Sequence, residues 1–227
     1  MTTKALEPVT RLARPRPSHL WWPGAVLALA LVAFFPTYFG FFPEFAGTSA
    51  SVHFHVATML TWIMFTIAQP ILIRRKRVEL HRRLGQLTYA WLPVLAAGFW
   101  LVMRDGQLRR KQPDLILATA FDASLFFFLV AMGLFYRKRR AYHSRFMMLS
   151  LVPFLNPTLG RIIHPAVSVP IELIVLVSLW VRARKKQEDA RPYAIAVVAL
   201  LVGLLALVGV MVGVPSASEF LWRVLAR

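Results

Sequence analysis

The sequence predicts an all-α polytopic membrane protein with seven transmembrane helices, N-terminus inside and C-terminus outside. Three observations predict it. The 227 residues are 58% hydrophobic with a mean hydropathy of +0.58, more apolar surface than one soluble core of this size hides. Charged residues are only 16% and bunch between apolar stretches long enough to cross a bilayer. Finally, 20 of the 27 Lys and Arg residues fall on one side of the resulting topology, as the positive-inside rule requires.

The predicted spans are 21–42, 52–73, 84–103, 115–136, 146–163, 166–181 and 193–214. Trp21 and Trp22 open the first at headgroup level. The second ends at the basic run Arg74 to Arg77, and the third begins after Arg82 and Arg83. The fourth ends at Arg137 to Arg140, and the sixth at Arg182, Arg184, Lys185 and Lys186. The fifth carries Pro153, Asn156, Pro157 and Arg161 and is the least regular. Deleting it would move a basic cluster outside, so the charge pattern retains it. In the seventh, Gly209 and Gly213 form a small-xxx-small pair suited to close helix contact. Residues 1–20 are then a basic cytoplasmic segment, 21–214 the membrane domain and 215–227 a short outer tail. The first span starts about twenty residues in and lacks a small-residue cleavage site, so no cleaved signal is expected.

The net charge is +17, yet the basic residues sit beside apolar spans, where they meet anionic lipid at the cytoplasmic face. No soluble basic face exists to carry nucleic acid. The absence of cysteine excludes disulfides, thiolate ligands, iron–sulfur clusters and covalent haem attachment.

Function is sought in the polar residues of the spans, because ionisable groups in hydrocarbon are costly unless they pair or work. Taking about 1.5 Å of rise per residue, Asp122, Glu172 and Asn156 lie roughly 13, 10 and 12 Å below the outer boundary. His55, Arg161 and His164 are shallower on the same side. On the second span, His55, Thr58, Met59, Trp62, Thr66 and Gln69 recur at helical spacing within a sector of roughly 100°. That face should look into the bundle, with His53 about 160° away from His55. Pro153 and Pro157 break the fifth helix and free carbonyls, a state tolerated where the segment is buried or lines a cavity. The expected ligand-binding set is therefore His55, Trp62, Asp122, Asn156, Arg161 and Glu172. Arg161 is expected to pair with at least one of the two acids, since a guanidinium stays charged. A metal would fall to His55, His164, Asp122 and Glu172, a set suited to Zn, Fe, Mn or Cu. The alternative is a structural cluster that only holds the bundle together.

At the cytoplasmic face, His81, Arg82, Arg83, His143 and Arg145 are expected to bind lipid headgroups. A bis-histidine haem b between His81 and His143 is the competing reading. His143 and His164 are about 31 Å apart along a helix, which argues against two stacked haems.

The series His53-Phe54-His55, Trp62, Gln69-Pro70, His81-Arg82-Arg83-Leu84-Gly85, His143-Ser144-Arg145-Phe146-Met147 and Asn156-Pro157-Thr158-Leu159-Gly160-Arg161 resembles an uncharacterised group of bacterial multi-span membrane proteins. The resemblance runs from about residue 36 to 163 and begins at Phe35-Pro36-Thr37-Tyr38. It implies a multi-pass location in the bacterial inner membrane and carries no activity with it. A looser similarity to b-type cytochromes lies in histidines near helix ends, though the ligand spacing departs from theirs. The function expected is a membrane protein with a His/carboxylate pocket for a metal, haem or small ligand, in a redox or respiratory setting. The rival is a non-catalytic subunit or assembly partner. Another membrane subunit or a second copy is the protein partner this leaves open.

Overall fold

The structure, a computed structural model, describes residues 18–110 and 113–213, with side chains at 21–106 and 116–210. The N-terminal segment before 18 and the outer tail 215–227 lie outside the described residues. Those described form eight α-helices and two 3-10 turns. They are α1 (Ser18–Phe34), α2 (Ala50–Arg74), α3 (Val78–Arg110), α4 (Pro113–Phe135), α5 (Arg140–Leu149), α6 (Leu155–Ile162), α7 (Pro165–Lys185) and α8 (Arg191–Gly213). Five of them, α2, α3, α4, α7 and α8, are long and apolar enough to cross a membrane. Their outer faces carry large apolar side chains such as Phe135 and Leu205, 75% and 72% exposed, a surface suited to lipid rather than water.

Two expected spans look different. The first stops at Phe34 rather than running to 42, because Pro36 cannot continue the amide ladder. The chain turns there and passes through a 3-10 turn at Phe39–Phe41. The fifth is three pieces: α5, the 3-10 turn Val152–Phe154, and α6. Pro153 stands inside the 3-10 turn and Pro157 in the first turn of α6, so the break falls where the prolines withhold their N–H groups.

The face of α2 that helical spacing marks is the buried one: Thr58, Met59, Trp62 and Thr66 all point inward. Trp62 is fully buried against Phe126 of α4, centroids 5.2 Å apart. Its indole donates to Ser150 Oγ at 3.3 Å. A second core joins Leu125 and Leu129 of α4 to Phe146 of α5, Leu176 of α7 and Leu200 of α8. Close approach depends on glycine at a few points. A Cβ on Gly203 would meet the Phe121 ring at 2.9 Å, so this glycine seats α8 on α4, while Gly209 faces open space.

At one end of the bundle, the α7–α8 turn is clasped to α5. Buried Arg145 donates to the Asp189 carbonyl at 2.5 Å and pairs with Glu188 at 3.2 Å. Tyr142 donates to Asp189 Oδ2 at 2.6 Å, and this bond holds the Asp189 carboxyl below its ordinary range. Arg145 thus closes a turn, not the headgroup contact expected of it, because acids on the neighbouring turn reach it first.

Gly98 of α3 packs directly on α2: an added Cβ would lie 2.8 Å from Thr58 Oγ1. That hydroxyl is buried and tied to the His55 carbonyl at 2.8 Å, so it has nowhere to move. Gly98→Ala is expected to destabilise the folded chain by about 1–3 kcal/mol. Gly24→Ala, which meets nothing within 4 Å, should leave thermal unfolding in mild detergent almost unchanged. Equal melting of the two variants would contradict the contact.

Candidate functional site

The broken fifth segment determines the site. Because α6 restarts at Leu155, the main-chain N–H of Asn156 lies in a first turn and has no intrahelical acceptor. It donates instead to Oε1 of Glu172 at 3.1 Å. A carboxyl at a helix N-terminus is also favoured by the helix dipole.

The Asn156 side chain extends the network in two directions. Its Nδ2 donates to both Asp122 oxygens, at 2.9 and 3.1 Å. Its Oδ1 accepts from the hydroxyl of Ser168, which also donates to the Pro165 carbonyl at 2.7 Å. Three segments thus meet on one amide: α4 through Asp122, α6 through Asn156, and α7 through Ser168 and Glu172. Ser168 and Glu172 are fully buried and Asp122 nearly so. Glu172 Oε2 is buried with no hydrogen-bond partner.

Asp122, Asn156 and Glu172 are thus brought together as expected, and Ser168 was missed. Its signal was available: Ser168 stands four residues before Glu172, on the same helix face.

Arg161 is a correction. It lies five residues beyond Asn156, about 140° round α6 and about 7.5 Å further along. It therefore turns toward α1, its guanidinium 4.2 Å from the Phe34 ring centroid, and donates to the Pro157 carbonyl at 2.8 Å. Among the described ion pairs none joins it to Asp122 or Glu172.

The histidines do not join the acids either. His164 is exposed and caps α7, its Nδ1 accepting from the Ala166 N–H at 3.2 Å. His55 faces Phe99 of α3, centroids 5.1 Å apart, and its Nδ1 is buried without a partner. Among the described residues no group of three or more His, Asp or Glu side chains could hold a metal ion. The expected set of His55, His164, Asp122 and Glu172 is thus dispersed, with only the two acids adjacent. Trp62 is fully buried in the core, its indole bonded to Ser150 and its ring edge-on to Phe126.

His53 and His55 do point apart. His53 faces the α1–α2 connection, where its Nδ1 and the Tyr38 hydroxyl share a hydrogen bond of 2.8 Å. Of the inner set, Arg82 and Arg83 are exposed, and Arg83 pairs with Glu79 at 3.1 Å. His81 and His143 face each other, ring centroids 6.5 Å apart.

Comparison with known protein families, with curated proteins and with solved structures finds no match to this chain. What the site can do is therefore argued from its chemistry. An amide, a hydroxyl and two carboxyls make an acceptor-rich cluster, with no basic side chain hydrogen-bonded among them in the described residues.

The two acids should respond differently to neutral isosteres. Glu172→Gln retains the oxygen that accepts from Asn156 and replaces only the unpartnered Oε2, so folded yield and melting should hold. Asp122→Asn replaces one of the two oxygens that accept from Asn156 Nδ2 with an amide NH2, which removes one bond and sets two NH2 groups side by side. That variant should lose about 1–2 kcal/mol, and Asn156→Ala at least as much. Thermal unfolding in detergent checks the order. Glu172→Gln melting below Asp122→Asn would contradict the network.

Proposed function

We propose that this chain is a multi-pass protein of the bacterial inner membrane whose outer half holds a proton-accepting carboxyl pair, Asp122 and Glu172. The observation that carries the reading is the environment of Glu172, which is fully buried with one carboxyl oxygen lacking any partner and a second acid beside it. Isolated charge in such a place is expensive. A proton taken up there turns Glu172 Oε2 into a donor and relieves the repulsion between the two acids. The work proposed for the site is proton uptake and release coupled to a small ligand or to the fold of the broken segment.

A second reading has its own observation. Asn156 ties its own segment to two others at once, as a purely structural fastener would, which suits a non-catalytic subunit. The two readings separate on a carbodiimide that reacts only with protonated carboxyls in apolar surroundings. With a proton site, mass spectrometry finds Glu172 modified, faster at lower pH, and the label absent in the folded Glu172→Gln variant. A Glu172 that stays unlabelled across the pH range in folded protein would leave the fastener.

The topology proposed with it is seven crossings, the segmented α5–α6 region counting as the fifth, with the N-terminus in the cytoplasm. The basic asymmetry supports it, as do the inner turns carrying Arg74 to Arg77, Arg137 to Arg140 and Arg182 to Lys186, which would face anionic lipid. A reporter fused after Lys186 should read as cytoplasmic and one after Arg227 as periplasmic. Cytoplasmic readings at both would remove one of the crossings.

A further inference from the structure

At the opposite end of the bundle from the carboxyl pair, His81 opens α3 and His143 lies in the first turn of α5, and their imidazoles meet. Three details define the place. His143 Nδ1 lies 2.8 Å from the Gly133 carbonyl. A carbonyl only accepts, so Nδ1 carries the hydrogen, and Nε2 of the neutral ring is left with its lone pair. His81 Nδ1 is buried with no partner, as is the side-chain oxygen of Gln69. The His81 ring reaches the Gln69 main chain, and the Gln69 side chain lies over Gly85, one turn along α3. Buried polar atoms without partners are uncommon in folded chains and call for a ligand or a strain. Here two stand at one spot, beside a second imidazole oriented by a carbonyl. Metal-binding histidines are commonly held in that way, the far nitrogen donating to main chain.

We propose that His81 and His143 bind a monovalent copper ion. The geometry suits one ion between two imidazoles. A metal–nitrogen bond of about 2.0 Å on each side, plus the half-width of each ring, sets centroids roughly 6 Å apart, close to the 6.5 Å observed. Copper in the lower oxidation state is singled out by two features. Met147 stands one turn beyond His143, and an added Cβ on Gly133 would lie 2.7 Å from its sulfur. His143 and Met147 therefore flank the same glycine, and thioether sulfur beside imidazole favours Cu(I) over harder ions. The surroundings are also cationic, with Arg82, Arg83, Arg137, Lys138, Arg139 and Arg140 on the adjoining turns. A single positive charge meets half the repulsion there that a divalent ion would.

The test uses the full chain in mild detergent, titrated anaerobically with Cu(I) against bicinchoninate as competitor. The expected result is a single copper ion per chain, lost in His81→Gln and in His143→Gln and retained in His164→Gln. Glutamine at 143 can still donate to the Gly133 carbonyl, so the fold has reason to survive. X-ray absorption on copper-loaded wild type supplies a readout that needs no variant, with imidazole nitrogen in the first coordination shell. Absence of uptake, retention of copper in either inner-pair variant, stoichiometric Zn(II) taken up in preference to copper, or a copper spectrum without imidazole would each overturn the assignment.

Discussion

The hydrogen-bonding need of the main chain where a helix is interrupted governs the arrangement of this molecule. A continuous helix satisfies its own amides and can stand in any apolar medium, but a broken one cannot. Pro153 and Pro157 impose a break between α5 and α6, and the unpaired Asn156 N–H it leaves must be met from outside. Glu172 meets it at 3.1 Å, which brings α7 against α6. The Asn156 side chain then reaches Asp122 and fixes α4. Thr158 adds a local tie on α6, its hydroxyl bonded to the Phe154 and Leu155 carbonyls. The buried acids are thus consequences of the break as much as occupants of a site.

The end of the bundle that carries the α2–α3 and α7–α8 turns meets a related problem. The turns after α2 and α7 each place a residue other than glycine in the left-handed region, Lys76 at φ 60 and Gln187 at φ 54. Such a conformation costs roughly 1 kcal/mol without glycine. After α7 the cost is offset by the clasp of Arg145 on Glu188 and Asp189, with Tyr193 beneath the guanidinium. After α2 the turn closes through the Arg77 amide on the Leu72 carbonyl at 2.9 Å. At the opposite end His53 makes a comparable local tie to Tyr38.

Local periodicity was legible in the sequence, and the direction of long side chains near helix breaks was not. The buried stripe of α2 and the divergence of His53 from His55 follow from 100° per residue, which a regular helix obeys. The pairing of Asp122 and Glu172 with Asn156 was legible as a shared depth, since rise per residue is equally regular. Arg161 failed because a guanidinium at the last turn of a short helix has several acceptors within reach, here the Pro157 carbonyl and the Phe34 face. Depth alone does not choose among them. His164 failed because a histidine before Pro165 is well placed to cap the new helix, and that local bond precedes any long-range one. The first span was overestimated because hydropathy does not register the turn at Pro36, whose neighbours Phe34, Phe35 and Phe39 are all apolar. Arg145 was read as a surface cation because it follows a basic run, while the acids that bury it come 43 and 44 residues later.

Between the two polar ends lies an apolar layer of aliphatic side chains and linked aromatic rings. Phe99, Phe126, Phe127 and Phe154 make ring contacts with one another or with Trp62 at 5.2–6.1 Å. A polar thread within it is the Trp62 indole on Ser150, which then donates back to the Met147 carbonyl of its own segment. No chain of hydrogen bonds among the described side chains connects Asn156 to His143 through this layer. A proton at Glu172 and an ion at His143 would therefore act as separate chemistries, each closed off by the same packed rings. What the two ends share is mechanical. Asn156 sits in α6 and His143 in α5, and both are fixed in position by the 3-10 turn of Val152–Phe154, whose Phe154 ring rests 6.1 Å from Phe126. The prolines that call for the Glu172 contact therefore stand on the same broken segment that carries His143.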